Sequence, residues 1–445
     1  MKFPRDFVFG ASTSAYQIEG AVEEDGRGPS IWDFFTHTPG TIAGGDTGDR
    51  ACDHYHRWKE DVALLRGAHV GAYRFSIAWP RIMPDGRGAV NARGLDFYDR
   101  LVDALLEAGI EPWPCLYHWD LPQALEDRGG WPDRDTAWRF CDYAGIVVAR
   151  LGDRARHLVL LNEPSIVAVH GYLRGRHAPG VQNADACHAA THHLNLATGL
   201  AAQVVRAARP SIERGSALAL NWIEPATDRE EDVEAAQRLD DVFHGAFLEA
   251  PTRGLYPKSI EARLKPWILD GDLEACAGAL DFLGVNYYTR LRVMQRAGSR
   301  LFDCWIADPP ERAQLSAMGW EVYPDGLRLR LQALHREHPR LPLFVTENGV
   351  AFEDQPTLDG YVRDDDRIDY LENHLGRCLE AVASGVDLRG YFVWSLLDNF
   401  EWSEGYRKRF GLVRVDYDSF ERTPKSSYLW FARVAETREL GGRSR

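Results

Sequence analysis

Two short stretches of this sequence end an apolar run on an acid. In "LVLLNEPSIV", Asn162 and Glu163 follow four apolar residues and precede Pro164; in "LPLFVTENGV", Glu347 and Asn348 close a second run in the same way. A carboxylate at the tip of an otherwise buried strand is expensive to desolvate unless it has a chemical role. Two such acids facing each other meet the needs of glycosidic bond cleavage: one protonates the leaving oxygen, and the other attacks the sugar or activates water. Most of the 66 acidic residues lack this context and read as solvated surface charges.

The elements that must position these acids are legible from periodicity. Eight apolar runs recur along the chain: "FVFGAST", "GAYRFSIAW", "IEPWPCLYHW", "HLVLLNEP", "SALALNW", "LDFLGVNYY", "PLFVTENG" and "LRGYFVWSLLD". Turn signals bound each run, and helical spacing follows it. Tyr55 to Arg66 carries Trp58, Val62 and Leu65 on one stripe; Leu95 to Ala108 carries Leu101, Val102 and Leu105 on another. Strand and helix alternating eight times predict a single (β/α)8 barrel spanning residues 1–445. The runs lie farther apart than a minimal unit requires, so long loops are expected after the strands. The tail from about 436 to 445 is expected to fray.

Barrels of this kind carry their chemistry at the C-terminal ends of the strands. There the sequence places Gln17, Trp79, His118 with Trp119, Asn162 with Glu163, Asn221, Tyr287 with Tyr288, Glu347 with Asn348, and Trp394. Amides, an imidazole, stacking rings and two carboxylates on one rim suit a polyhydroxylated ligand.

At this point the ordered stretches "FVFGASTSAYQIEG", "YRFSIAWPRI", "YHWDLPQAL", "LNEP", "GYLRGRHAPG", "NYYTR", "VTENG" and "DNFEWSEGYRKRFGL" resemble the family 1 glycoside hydrolases, the β-glucosidases and their relatives. The resemblance runs from about residue 3 to about residue 431. It implies a retaining β-glycosidase acting on terminal β-D-glucosyl residues, with galactosyl and fucosyl residues within the class. Carried over motif by motif, Glu163 is the general acid/base and Glu347 the nucleophile, with Arg74 and Tyr288 bonded to the nucleophile. Gln17, His118, Asn162, Glu401 and Trp402 hold hydroxyls of the sugar, and Trp394 is its stacking platform. Trp119 and Phe410 join the substrate lining, and Trp320 borders the leaving half.

The chemistry agrees with these roles. An acid that donates near neutral pH needs an apolar setting, whereas a nucleophile stays ionised beside a cation and hydroxyl donors. The chain departs from the usual family pattern at Leu160, Leu161 and Ser165, where Thr with Phe or Leu precedes the motif and an aromatic or Gln follows it. That departure bears on the leaving group and not on the acid. The branch of the family acting on phosphorylated sugars carries Ser where Glu401 stands here, so an unmodified sugar is expected.

Composition narrows the alternatives. A formal charge of −14 excludes a phosphate-backbone partner, since nonspecific nucleic-acid binding needs a basic surface. No segment approaches the about 18 uninterrupted apolar residues of a membrane helix. "MKFPRDFVFG" lacks the apolar core of a secretory signal, and seven scattered cysteines without a CxxC suit a reduced, cytoplasmic protein. The 14 Trp exceed what a core of this size needs and suit stacking on sugars. Two rivals remain. A metal-dependent hydrolase would use the His54/His56 or His188/His192 pairs, but neither pair ends an apolar run. A non-catalytic sugar-binding barrel would lack one of the two acids. No cofactor or metal is expected, and the partner is a small β-glucoside or oligosaccharide.

Overall fold

The computed structural model describes residues 2–358 and 360–441. Each of the eight apolar runs forms a strand: β1 (Val8–Ser12), β2 (Ala72–Ser76), β3 (Glu111–Tyr117), β4 (His157–Asn162), β5 (Glu213–Ala219), β6 (Phe282–Asn286), β7 (Leu343–Asn348) and β8 (Leu388–Trp394). They pair in parallel in chain order and close with β8 on β1, making a (β/α)8 barrel. Helices between the strands include α1 (His54–Gly67), α2 (Ala92–Glu107), α3 (Asp135–Leu151), α4 (Ala184–Ala208), α5 (Glu230–Asp240), α6 (Pro324–Glu337) and α7 (Asp365–Ala383); α8 (Ser426–Thr437) follows β8. The stripes face inward as expected, with Val62 and Leu65 of α1 and Leu101, Val102 and Leu105 of α2 buried.

Alternation along each strand separates an inner from an outer face. Inside the lower barrel, Trp113, Val159, Phe282, Phe344 and Phe392 pack into a plug. The Trp113 ring lies 4.9 Å from both Phe344 and Phe392. Such aromatic packing leaves no pore, and truncating Phe344 to Ala would cost about 3–5 kcal/mol. One step further toward the C-terminal ends the inner positions turn polar, and the pocket floor begins.

Irregularities occur at both acid-bearing ends. On β4, the step from Val159 to Asn162 matches only Gly215 to Ala217 on β5. On β7, the step from Val345 to Glu347 matches only Val285 to Asn286 on β6. Each is a bulge, and a bulge turns side chains that strict alternation would send elsewhere. Gly284 serves the same region by its absence of side chain, since a Cβ there would lie 2.7 Å from Thr346 Oγ1.

The long loops carry their own structure. Strands Trp222–Pro225, Arg290–Gln295 and Cys304–Ile306, from the connections after β5 and β6, form a three-stranded sheet. After β8, Val413–Val415 pairs with Arg422–Pro424. Of the tail expected to fray, residues 436–440 have partners in the fold. Residues 436 and 437 complete α8. Arg438 O accepts from Phe3 N at 2.9 Å, and its guanidinium donates to the carbonyls of Pro4 and Phe7. Leu440 is buried. Its apolar side chain and these backbone partners outweigh the freedom of a chain end. Residues 442–445 lie outside the described residues. Among the described residues no helix is long and apolar enough to cross a membrane. All seven cysteines are free and buried.

Candidate active site

Glu163 follows β4 with a left-handed backbone (φ 45°) and caps the short turn that Pro164 begins. This sparsely populated conformation for a non-glycine residue turns the carboxylate into the barrel mouth, where it is buried. Its Oε1 accepts a hydrogen bond from Asn286 Nδ2 at 3.0 Å. Burial raises the carboxyl above the ordinary carboxylate range, the charge of Glu347 raises it further, and Asn286 and Arg74 pull in the opposite direction. Glu163 thus holds its proton at a pH where a solvated glutamate has lost it.

Glu347, at the end of β7, has the opposite company. Arg74 Nη1 donates to its Oε1 at 2.6 Å and the Tyr288 hydroxyl to its Oε2 at 2.7 Å. Arg74 is wholly buried, so the pair is screened little by water. One guanidinium and one phenol are spent on the charged form of this carboxylate, and such hydrogen bonds to an ion are the strong ones.

Asn162 joins the two sides. Its Oδ1 accepts from Arg74 Nη2 and, at 3.0 Å, from Asn286 Nδ2. With that oxygen occupied by donors, its Nδ2 donates to His118 Nε2 at 3.0 Å. Burial and Arg74 drive the His118 imidazole well below its ordinary range, so the ring is neutral and its proton sits on Nδ1. That Nδ1 is buried without a protein partner. The His118 ring is stacked at 24° to Trp394 and at 20° to Trp402.

Across the mouth, Glu401 is half-buried, and its Oε2 has no protein partner. Burial, together with the charges of Glu347 and Glu163, pushes its carboxyl up to about 8. Its carboxylate therefore carries less charge near neutral pH than that of a solvated glutamate. Trp394, Phe410 and Ala351 form a separate apolar cluster against Tyr288 and Trp320. Two buried polar atoms without partners, two acids and a wall of indoles make a pocket for an uncharged polyol.

The model of the family described as glycosyl hydrolase family 1 matches residues 1–440. The chain belongs to glycosyl hydrolase family 1. It is 42% identical to β-glucosidase A of Thermotoga maritima over 450 residues, covering 99% of each chain. It is 45% identical to a bifunctional β-D-glucosidase/β-D-fucosidase of Bifidobacterium breve, covering 97% of this chain and 98% of that one. The β-glucosidase of Thermotoga maritima in complex with deoxynojirimycin superposes with a TM-score of 0.94 at 41% identity, over 99% of this chain and all of that one. This family 1 chain is a glycoside hydrolase of the β-glucosidase type, a retaining β-glycosidase with a small sugar substrate.

Several strand-end residues face away from the barrel mouth or are bonded within the protein. Trp79 is packed on Tyr143, ring centroids 5.1 Å apart, outside the barrel. Tyr287 faces the helical layer and donates to Tyr323 O at 2.6 Å. Asn348 turns outward too, donating to Tyr287 O at 2.7 Å and accepting from the Tyr391 hydroxyl at 2.7 Å. Asn221 braces the next strand by accepting from the backbone NH groups of Tyr288 and Thr289. Gln17 is buried, with its amide nitrogen donating to Asn399 Oδ1 at 3.0 Å and Phe400 O at 2.8 Å. Trp119 donates from Nε1 to Asn162 O at 3.0 Å, and its ring lies 4.4 Å from Trp402.

One member of the site escaped the sequence reading. Asn286 donates to both Asn162 and Glu163 and accepts from Thr346 Oγ1 at 2.7 Å. The signal was present: Phe282, Gly284, Asn286 and Tyr288 alternate on one face of β6, and the inner face at a strand's end is where chemistry collects. The histidine pairs have structural partners. His54 pairs with Asp61 and His56 with Asp53 and Glu24, while His192 lies between Tyr256 and Asp272.

Proposed function

We propose that Glu347 is the nucleophile and Glu163 the general acid/base of a double displacement on terminal β-D-glucosyl residues, with the chain acting as one catalytic domain around this pocket. The observation that carries the assignment is the unequal treatment of two buried carboxylates. Glu347 receives a cation and a phenol, while Glu163 receives one amide and the repulsion of Glu347.

In the first step a Glu347 oxygen attacks the anomeric carbon as the bond to the leaving oxygen breaks, and that oxygen takes the proton of Glu163. The resulting ester removes the negative charge of Glu347. Because that charge raises the Glu163 carboxyl, its loss makes Glu163 a stronger acid, left as an anion ready to accept a proton. Glu163 then deprotonates a water that attacks the same carbon from the side the leaving group vacated, and the ester bond to Glu347 breaks with overall retention. Asn162, held by Arg74, Asn286 and His118, binds the 2-hydroxyl. Gln17, His118, Glu401 and Trp402 hold the other hydroxyls, and Trp394 stacks on the ring. Trp119, Trp320 and Phe410 line the substrate path. β-Fucosyl residues are within the same range, as in the Bifidobacterium breve relative.

The test uses dinitrophenyl β-glucoside, whose leaving group needs little protonation, with and without azide. Glu163→Ala should release dinitrophenol in a burst, stall as the intermediate accumulates, and turn over again with azide to give β-glucosyl azide. Glu347→Ala should fall on the order of 10⁴-fold or more, with no β-azide product. A β-azide from the Glu347 variant would reverse the roles, and no rescue of the Glu163 variant would remove the support for double displacement.

A further inference from the structure

Between the loops after β7 and β8, and touching none of the reacting groups, lies a closed ionic cluster. Lys425 Nζ, wholly buried, donates to Asp398 Oδ1 at 2.7 Å and to Asp354 Oδ2. Arg409 Nη1 donates to Asp398 Oδ2 at 2.7 Å. Arg367, buried as well, forks onto Asp354 and bonds Asp364. Three cations balance three carboxylates, all but Arg409 essentially without solvent contact. Apolar packing of the same volume would be at least as stable, because desolvating ions costs about what their attraction returns. What a buried charged cluster adds is a unique geometry.

The geometry it imposes concerns two loops of the site. Asp398 stands three residues before Glu401 on the loop after β8. Its Oδ1 also accepts from Gly411 N at 2.9 Å, next to Phe410, so this one carboxylate closes the loop that carries Glu401 and Trp402. Asp354 lies on the loop after β7. Arg367 reaches back from α7 to donate to Val350 O at 3.2 Å, three residues beyond Glu347, and to Arg409 O at 2.7 Å. Lys425, at the start of α8, bridges the two carboxylates. The strand ends are also pressed together, since a Cβ on Gly349 would lie 1.7 Å from Trp394 O. A third loop is tied in: Lys408 Nζ donates to Ala317 O at 2.5 Å, in the turn before Trp320.

We propose that the cluster of Lys425, Asp398, Arg409, Asp354 and Arg367 is a specificity-setting positioning device, which holds the sugar-binding loop of Glu401 in register with the strand end that carries Glu347. The inference rests on the reading of Glu401 as a ligand of the far hydroxyls of the sugar. A device of this kind acts on recognition at that end, so its loss penalises a substrate in proportion to the contacts made there. A purely structural role would lower all substrates together or lower only the folded fraction.

The experiment compares kcat/KM for nitrophenyl β-glucoside and for its 6-deoxy analogue, which differ by one hydroxyl. The proteins are the wild type, Glu401→Gln, Lys425→Met, Arg409→Met and Arg409→Lys, with circular dichroism confirming folding. Lys425→Met and Arg409→Met should lose about 10-fold or more on the glucoside and only about 2-fold on the 6-deoxy compound, mostly through KM and in the direction of Glu401→Gln. Arg409→Lys should restore most of the ratio by returning the charge. If Lys425→Met does not fold, the partly exposed Arg409 decides alone. Folded variants that keep the wild-type ratio, while Glu401→Gln changes it, would overturn the positioning role. An unchanged ratio in Glu401→Gln itself would overturn the reading of Glu401, and the positioning role falls with it.

Discussion

The ends of β4 and β7 carry the same two residues in opposite order, and the order decides what each asparagine does. On β4 the asparagine comes first: Asn162 turns into the pocket between Arg74, Asn286 and His118, and Glu163 follows on a left-handed turn. On β7 the glutamate comes first and points inward, so Asn348 falls on the outer face and ties Tyr287, Tyr370 and Tyr391 together. One dipeptide lies wholly at the barrel mouth, while its mirror image is half at the mouth and half a brace. The two acids differ for the same reason. Glu347 meets Arg74 of β2 and Tyr288 just past β6, and Glu163, the first residue after its strand, meets mainly an amide and a like charge.

Exchanging one asparagine at a time breaks this comparison most sharply. Asn162→Ala should lower kcat/KM on folded protein by about 10²- to 10³-fold, the usual cost of a donor aimed at the transition state, and should lower the melting midpoint as well, because it leaves groups of Arg74, Asn286 and His118 unpaired. Asn348→Ala should share only the loss of stability. It leaves the Tyr287 carbonyl without its side-chain donor and a tyrosine hydroxyl without its acceptor, at about 1–3 kcal/mol for each buried group orphaned, and should lower the melting midpoint while kcat/KM on folded protein stays close to wild type. Thermal unfolding and nitrophenyl glucoside kinetics on both variants check the pair, and equal activity losses would dissolve the contrast.

A smaller effect separates the two acids through their partners. Tyr288→Phe deletes a donor to Glu347 and should reduce kcat by about 10- to 100-fold without moving the alkaline limb of the pH profile. Asn286→Ala should act on that limb. The Asn286 amide stabilises the Glu163 anion and so lowers its carboxyl, and without it the proton is held to still higher pH. The alkaline limb of kcat/KM should therefore shift upward, by less than about one unit for one neutral hydrogen bond. A downward shift, or an equal one in Tyr288→Phe, would show that Glu163 is not the group titrating there.

Much of this is legible in the sequence. Each apolar run became a strand because short apolar runs bounded by turn signals have few other ways to be buried, and the helical stripes of α1 and α2 landed on the barrel wall. The rim was over-read where nearness to a strand end stood in for facing inward, as at Trp79, Tyr287 and Asn348. It was under-read at Asn286, which alternation alone would have placed inside. The bulges on β4 and β7 left no mark in the run of residue types, since a bulge is a mismatch between neighbouring strands and not a property of either one.

The sequence by itself determined the eight strands, the acids that end two of them and the ring-rich, amide-rich stretches around them, because burial periodicity and residue chemistry are local. Tertiary structure alone decided which face each strand-end side chain takes and which partners each carboxylate meets. It also decided how Asp354, Asp398, Arg409 and Lys425 lock two loops together. Those outcomes depend on desolvation and on charges brought within hydrogen-bond reach from distant parts of the chain, and closure of the barrel is what brings them there.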